Sequence, residues 1–318
     1  MLLDFAPMEG ITGSLFRRLH SELFSGVDRY YSPFLSPTKE HLFTQRELRE
    51  ILPENNDGFQ MVPQILTKSA EDFLWAAGEL QAMGYGEVNL NAGCPSGTVT
   101  AKGKGAGMLA DPPVLDRFLE EVYSKAPCAI SVKTRLGMED PEEFGPILEI
   151  YNKYPIAELI IHPRVRRDFY RHPIRQEYFD LAVANSRNPV SYNGGVVTAS
   201  DHANCALRYP EGKAIMIGQG LVADPFLAEK INNGTAGNKA TLREFHDRLL
   251  EGYVQQFESR NNAMRRMKEL WAYLIRSFED SEKYGKKLMK AKHLEEYQVA
   301  VAAIFRDLQL LENSSGGW

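Results

Sequence analysis

Short apolar segments and longer segments of helical periodicity alternate eight times along this 318-residue chain. The predicted strands are Leu2–Ala6, Asp28–Tyr31, Gln60–Ile65, Glu87–Asn91, Ala129–Thr134, Glu158–Ile161, Pro189–Tyr192 and Ala214–Ile217. The predicted helices are Ser14–Phe24, Gln45–Leu52, Ser69–Met83, Pro112–Ser124, Pro141–Tyr151, Gln176–Asn185, Ser200–Leu207 and Asp224–Ile231. Apolar strands that are each followed by a helix are typical of a parallel sheet covered by helices. Eight such units predict an α/β fold that closes into a (β/α)8 TIM barrel.

The first strand-to-helix turn argues against the main alternative, an open doubly wound sheet. That fold would place a GxGxxG turn after its first strand. This chain instead has the sequence APMEG at residues 6–10, so the barrel is favoured.

After a turn-rich segment at residues 232–237, only helical periodicity remains. Leu242, Phe245, Leu249 and Leu250 have the spacing of an amphipathic helix, and no strand is predicted beyond them. We therefore expect a catalytic TIM-barrel domain over 1–235 and a small C-terminal helical bundle domain over 236–318.

The composition indicates a folded cytoplasmic protein. Hydrophobic residues make up 43% of the chain and charged residues 25%, which suits a large core and argues against disorder. No segment approaches the ~20 apolar residues of a membrane span, and the amino terminus lacks signal-peptide features. The spacing of Cys94, Cys128 and Cys205 predicts neither a metal site nor a disulfide.

Charge is distributed unevenly along the chain. The formal net charge is −5, yet the segment from Arg260 to Lys292 contains ten Lys or Arg residues and only four Asp or Glu residues. Such asymmetry indicates a polyanionic partner. The alternative is an ordinary solvated helix face.

Polar and glycine residues follow the predicted strands at the end where TIM barrels carry their active sites. They are Pro7 and Met8; Gln64; residues 91–95; Lys133 and Arg135; His162 and Arg164; Asn193, Gly194 and Gly195; and Gly218, Gln219 and Gly220. The glycine turns after the last two strands predict a phosphate site, because bare backbone N–H groups can approach an anion.

Lys133 ends an apolar strand, and an unpaired buried ammonium group is costly. One reason for a lysine here is a flavin, whose reduced form is stabilised by a nearby cation. The alternative is a salt bridge inside the barrel.

Cys94 is held between Gly93 and Pro95, which predicts a rigid loop at the barrel mouth. It precedes a basic, glycine-rich segment that contains Lys102 and Lys104 and is expected to be flexible. Neighbouring cations are expected to lower the thiol pKa, which favours thiolate chemistry. The sequence leaves both a nucleophile and a general acid open.

The loop after the sixth strand is dense in basic and aromatic residues: Arg164, Arg166, Arg167, Phe169, Tyr170, Arg171, His172 and Arg175. This composition suits phosphates and unstacked bases. The alternative is a solvated loop with internal ion pairs, although Asp168 is the one acidic residue among them.

These segments together resemble the tRNA-dihydrouridine synthases, a family of FMN-dependent enzymes. The matching segments, in the family's order, are Ala6–Thr12 with Phe16 and Arg17, Pro63–Gln64, Val88–Pro95, Ser131–Gly137, His162–Arg164, Asn193–Gly195 and Met216–Gly220. The motif NAGCP at residues 91–95 is the most specific of them. Arg265–Leu274 is similar to the family's helical RNA-binding domain. The resemblance therefore implies that the barrel binds FMN and that residues 236–318 bind RNA.

The resemblance implies that specific uridines in tRNA are reduced to 5,6-dihydrouridine, with NADPH (or NADH) as the reductant. Hydride would pass from the reduced flavin to C6 of uracil, and the catalytic residue Cys94 would protonate C5. The implied cofactor-binding residues are Pro7, Met8, Gln64, Lys133, His162, Asn193, Gly194, Gly195, Gly218, Gln219 and Gly220. The implied substrate-binding residues are Asn91, Lys102, Lys104, Arg135, Arg164, Arg166, Tyr170, Arg265 and Arg266. The implied partner is tRNA or another structured RNA, with neither a membrane nor an obligate protein partner.

Three residues depart from the family pattern. Gln219 replaces a usual arginine at the cofactor phosphate, Gly13 replaces a common acidic residue, and Pro163 replaces a frequent glycine. Two other functions remain open from the sequence. One is an FMN barrel that reduces a free pyrimidine or small enone, and the other is a non-catalytic RNA-binding relative without flavin.

Overall fold

The computed structural model describes residues 1–234 and 236–314 and shows a closed barrel of parallel strands. The strands are β1 (Leu2–Phe5), β2 (Arg29–Tyr31), β3 (Gln60–Val62), β4 (Gln64–Ile65), β5 (Glu87–Ala92), β6 (Ala129–Arg135), β7 (Leu159–His162), β8 (Val190–Asn193) and β9 (Ala214–Ile217). They pair in the order β3-β2-β1-β9-β8-β7-β6-β5-β4. Because β3 and β4 are consecutive in the chain, the two ends of this order meet. The predicted TIM barrel is confirmed.

The barrel closes at Pro63, which divides the predicted strand at residues 60–65 into β3 and β4. β3 pairs with β2, whereas β4 pairs with β5. Proline has no backbone N–H to donate, but the Pro63 carbonyl accepts a 2.8 Å hydrogen bond from the Asn89 backbone N–H. The chain therefore changes its strand partner at this residue, and Gln64 follows at the barrel mouth.

The helices around the barrel match the predicted helices to within a few residues. They are α1 (Ser14–Leu23), α2 (Gln45–Ile51), α3 (Ala70–Ala82), α4 (Gly97–Thr100), α5 (Pro112–Ser124), α6 (Phe144–Tyr151), α7 (Gln176–Asn185), α8 (Ala199–Arg208), α9 (Gln219–Ala223) and α10 (Leu227–Asn233). The sequence did not predict α4 and α9, because a helix of four or five residues is too short to show periodicity.

An ion network closes the amino-terminal end of the barrel. Arg29 donates from Nε and Nη2 to the two carboxylate oxygens of Asp4, at 2.9 and 2.6 Å, and from Nη2 to Glu158 at 3.0 Å. Lys213 lies 3.2 Å from the Glu158 carboxylate. Asp4, Arg29 and Glu158 are buried, which leaves the opposite end of the barrel for a ligand.

Four helices follow the barrel: α11 (Lys239–Phe257), α12 (Arg260–Leu274), α13 (Glu282–Lys290) and α14 (Leu294–Asp307). The Phe245 ring of α11 packs edge-on against Phe16 and Phe24 of the α1 region, with centroids 5.3 and 5.1 Å apart. The predicted helical region is confirmed. The proposed domain boundary falls at Thr235, which lies outside the described residues, so the boundary stays a prediction. Among the described residues, no helix has the length and hydropathy needed to cross a membrane.

Candidate active site

A cavity opens at the carboxyl ends of the strands, where the sequence predicts the functional site. Its larger part, which we call the wide cavity, has a volume of about 500 Å³ and adjoins a glycine cavity of about 90 Å³. Both parts are lined by Pro7, Met8, Lys133, His162, Tyr170 and Gln219. The wide cavity is also lined by Gln64, Asn91, Cys94, Arg135, Phe169 and Tyr273. The glycine cavity is also lined by Arg164, Asn193, Gly194, Gly195, Gly218 and Gly220.

Cys94 lies in a loop that the side chain of Asn91 holds in place. Asn91 Oδ1 accepts hydrogen bonds from the backbone N–H groups of Gly93 at 3.1 Å and Cys94 at 2.9 Å. Asn91 Nδ2 donates to Gln64 Oε1 at 2.7 Å, which connects the loop to β4. The Asn91 amide is thus engaged within the protein, and its contact with a substrate base stays a prediction.

The glycine-rich segment that was predicted to be flexible is instead folded against Cys94. It follows α4 and enters a 3-10 helix at Gly105–Ala110, and the Ala106 N–H donates to the Cys94 carbonyl at 3.1 Å. Gly105 has a φ of +57°, and a Cβ atom there would lie 2.8 Å from the Cys94 carbonyl oxygen. Only glycine fits this position. The segment is therefore a second support of the Cys94 loop.

Burial raises the pKa of the Cys94 thiol above its usual value. A hydrogen bond with the Ser96 backbone and the charges of Arg135 and Lys133 oppose this rise without overcoming it. The expectation that neighbouring cations lower the pKa is thus wrong in net direction. A thiol with a raised pKa stays protonated at neutral pH, which favours a general acid over a nucleophile.

The ammonium group of Lys133 faces the cavity without a carboxylate partner. Burial lowers its pKa to about 7, with a further lowering from Arg135 and an opposing effect of Cys94. In the part of the chain that the structure describes, no carboxylate is among the groups that shift this pKa. The alternative of a salt bridge inside the barrel is therefore not supported, and the lysine is available to a ligand.

His162 is a neutral histidine with a defined tautomer. Burial, followed by the charges of Arg135, Lys133 and Arg164, lowers its pKa well below the usual value. His162 Nε2 lies 3.0 Å from Arg164 Nη1. Because a guanidinium group only donates, Nε2 must accept, and the ring proton lies on Nδ1. His162 thus adds no positive charge to the cavity.

The glycine cavity is shaped by the turns that follow β8 and β9. Gly194 has a φ of +134°, and a Cβ atom there would lie 2.7 Å from Ile174 Cδ1 and 3.0 Å from His162 Cδ2. Asn193 Nδ2 donates to the Met216 carbonyl at 2.8 Å, which fixes the end of β8 against β9. A side chain at Gly194 would fill the space in which backbone N–H groups can meet an anion.

Arg135 joins the two loops that flank the wide cavity. Its Nε donates to the Gly93 carbonyl at 3.0 Å, Nη1 to the Val165 carbonyl at 3.1 Å and Nη2 to the Phe169 carbonyl at 3.0 Å. Its relative exposure is only 2%. All three nitrogen atoms are engaged within the protein, so Arg135 holds the loops in place, and its contact with the substrate stays a prediction.

The loop after β7 contains both ion pairs and exposed aromatic rings. Arg175 pairs with Asp168, so the ion-pair alternative applies to this arginine. Arg166 lies over the Phe169 ring at 5.3 Å and donates to Thr100 Oγ1 at 3.3 Å. Phe169 and Tyr170 are nonetheless 39% and 44% exposed at the cavity rim. They are available to stack on a base.

Five residues predicted to contact the substrate line neither cavity: Lys102, Lys104, Arg166, Arg265 and Arg266. Arg266 pairs with Glu269 at 2.8 Å on α12. Tyr273, two helical turns further along, reaches the wide cavity and shares a side-chain hydrogen bond with Gln219. Tyr273 was not predicted to line the cavity, because its helix was expected to bind RNA. Tyr273 lies seven residues after Arg266, so the two residues share a helix face, and this spacing could have indicated that Tyr273 reaches the site.

The barrel, with the thiol and the glycine cavity at the carboxyl ends of its strands, has the layout of a TIM-barrel enzyme. The sequence model described as "Dihydrouridine synthase (Dus)" matches residues 4–310. The chain therefore belongs to the dihydrouridine synthase family.

Similar proteins are found among curated sequences and among solved structures. A tRNA-dihydrouridine(16) synthase of Ralstonia nicotianae is 32% identical, over 74% of this chain and 73% of the relative. A tRNA-dihydrouridine(16) synthase of Pseudomonas putida is 26% identical, over 88% and 90%. Morphinone reductase aligns with a TM-score of 0.55 over 74% of this chain and 87% of that structure, at 13% identity. At that identity, the structural likeness concerns the fold alone.

Proposed function

We propose that this enzyme reduces a uridine in tRNA to 5,6-dihydrouridine, with FMN as its cofactor and NADPH or NADH as the reductant. The observation that carries the proposal is that the thiol of Cys94 and the amino group of Lys133 line one cavity at the barrel mouth. The relatives named tRNA-dihydrouridine(16) synthase support tRNA as the substrate and uridine 16 as its position.

The residues at the strand ends fit FMN. The glycine cavity has room for a phosphate group, and Lys133 offers a cation where the two cavities meet. Pro7, Met8 and the neutral His162 line both parts and would hold the ring system and its side chain. FMN, when bound and reduced, would supply the hydride that adds to C6 of the uracil ring.

Cys94 would complete the reduction as the general acid. Its S–H bond breaks as the proton moves to C5 of uracil, while hydride adds to C6, so that the C5–C6 double bond becomes a single bond. The sulfur is left as a thiolate close to Lys133 and Arg135, whose charges favour that form. A proton from solvent then restores the thiol.

The rim of the wide cavity suits a base that has left its stack. Phe169 and Tyr170 are exposed there, and Tyr273 of α12 also lines this cavity. Single-stranded RNA loops present unstacked bases to aromatic side chains at low cost. The exposed lysines of α13 add a basic surface: Lys283, Lys286, Lys287 and Lys290.

The test is the nucleoside content of tRNA and rRNA from cells with and without this gene, measured by mass spectrometry. We expect dihydrouridine at position 16 of tRNA to disappear on deletion, to return with the wild-type gene, and to stay absent with Cys94→Ala. Loss from rRNA instead would correct the substrate. Unchanged nucleosides in both fractions would overturn the proposal, leaving a small pyrimidine or enone as the substrate to test.

A further inference from the structure

The glycine cavity has few positively charged groups. The turn after β9 contributes the neutral Gln219, whose side chain bonds to Tyr273. Among the residues that line the glycine cavity, Lys133 and Arg164 are the cations. Lys133 also lines the wide cavity, whereas Arg164 lines the glycine cavity alone.

Arg164 is held with its guanidinium group turned into this cavity. Its Nε donates to the His172 carbonyl at 2.6 Å, and its Nη1 contacts His162 Nε2 at 3.0 Å. That Nε2 atom lies 3.2 Å from a Cβ position on Gly194, so the guanidinium group is next to the glycine turn. Two of the five guanidinium N–H groups are used in these contacts. The remaining N–H groups can bind an anion.

No carboxylate neutralises Arg164 within the described residues. The carboxylate of Asp168 acts on Arg164 by raising its pKa. That carboxylate is itself paired with Arg175 and accepts a hydrogen bond from the Val165 backbone N–H. Arg164 is partly buried, and burial lowers its pKa, as expected for a cation without a close counter-ion. A half-buried guanidinium group in this state fits an anionic ligand.

We propose that Arg164 binds the phosphate group of FMN, and that it supplies the charge that Gln219 lacks. This inference rests on the proposed use of FMN. It changes the role predicted from the sequence, in which Arg164 contacts the substrate. The other arginines of the loop after β7 differ, since Arg167 and Arg171 are exposed to solvent and line neither cavity.

The experiment compares FMN with riboflavin, which lacks the phosphate group. Full-length protein freed of flavin is titrated with each compound, and binding is followed by the quenching of flavin fluorescence. For Arg164→Ala we expect FMN to bind ~10–100-fold more weakly and riboflavin to bind nearly as in the wild type. Arg171→Ala, in the same loop, is the matched control and should leave both affinities unchanged. Adding Gln219→Arg to Arg164→Ala should restore much of the FMN affinity.

The outcomes separate this inference from the proposed function. If the wild type binds neither compound, FMN use itself is wrong. If the wild type binds FMN, an unchanged FMN affinity in Arg164→Ala overturns the role of Arg164. An equal loss of FMN and riboflavin also overturns it, because Arg164 would then act by holding His162. Riboflavin binding shows at the same time that the variant is folded.

Discussion

The side-chain oxygen of Asn91 accepts a 2.9 Å hydrogen bond from the backbone N–H of Cys94, three residues further along the chain. The same oxygen accepts from Gly93, so one amide group holds two successive N–H groups of the thiol's loop. A general acid must be held at the correct distance from the carbon that it protonates. If Cys94 is that acid, as proposed, the orientation of Asn91 affects the reaction even without a contact to the substrate.

For Asn91→Ala we expect dihydrouridine formation to fall by ~100-fold, because a displaced acid transfers its proton poorly. FMN affinity should change little. Asn91→Asp keeps the oxygen acceptor for Gly93 and Cys94, and it should retain more activity than Asn91→Ala. Single-turnover reaction with tRNA and flavin fluorescence titration measure the two effects. Equal activity of the two variants would contradict a role in holding the loop.

Cys94→Ala should slow the reduction of uridine by ~10²–10⁴-fold, while reduction of the flavin by NADPH stays at the wild-type rate. Since the thiol acts in its protonated form and burial raises its pKa, the wild-type rate should be flat near neutral pH. It should decline only above the usual thiol pKa of about 8.5. A pH profile of the single-turnover rate measures this decline. A rate that instead rises between pH 6 and 8 would point to a thiolate mechanism.

When the Lys133 side chain is charged, it should destabilise the folded, flavin-free protein. Its pKa is about 7 in the folded protein, below the ~10.4 of an unfolded lysine, so the unfolded chain binds more protons between these values. Stability from this residue therefore rises as the pH rises from 7 towards 10. Lys133→Met should be more stable than the wild type at pH 6, by on the order of 1–2 kcal/mol after allowance for solvent in the cavity.

This difference should shrink at pH 9.5, where Lys133 is neutral in the folded protein and most of the desolvation penalty has gone. Urea unfolding of the flavin-free proteins at the two pH values measures it. A stability difference that is independent of pH would show that the ammonium group is not desolvated. Lys153→Met, at an exposed lysine, is the control and should show no such change.

Arg29→Met should destabilise the barrel by ~3–5 kcal/mol at pH 8, because it leaves the buried carboxylates of Asp4 and Glu158 without their shared partner. Burial raises the pKa of Asp4 to about 7, so Asp4 is protonated at pH 5 and the loss should be smaller there. Urea unfolding at both pH values gives the comparison. Arg208→Met removes an exposed pair with Asp180, which water screens, and should cost much less than Arg29→Met. A similar loss for both variants would contradict the role given to the buried network.

The sequence predicts the barrel and the position of the site, because strand periodicity and the glycine turns are local signals. It does not predict that Pro63 divides a strand, since the change of pairing partner depends on β2 and β5 being on either side. It predicts that Cys94 is at the barrel mouth but not the net rise of its pKa, because burial is a property of the folded chain. The inward orientation of Arg164 and the reach of Tyr273 likewise depend on packing between distant segments.

The packing of Phe245 against Phe16 and Phe24 gives the helical region a fixed geometry relative to the barrel. Tyr273 extends from that same region into the wide cavity. If the lysines of α13 bind RNA, as proposed, the protein sets the separation between that surface and the Cys94 thiol. An RNA that binds both places would have to span this separation. On that proposal, the three-dimensional shape of the RNA, rather than the bases that surround the target, would select the uridine that is reduced.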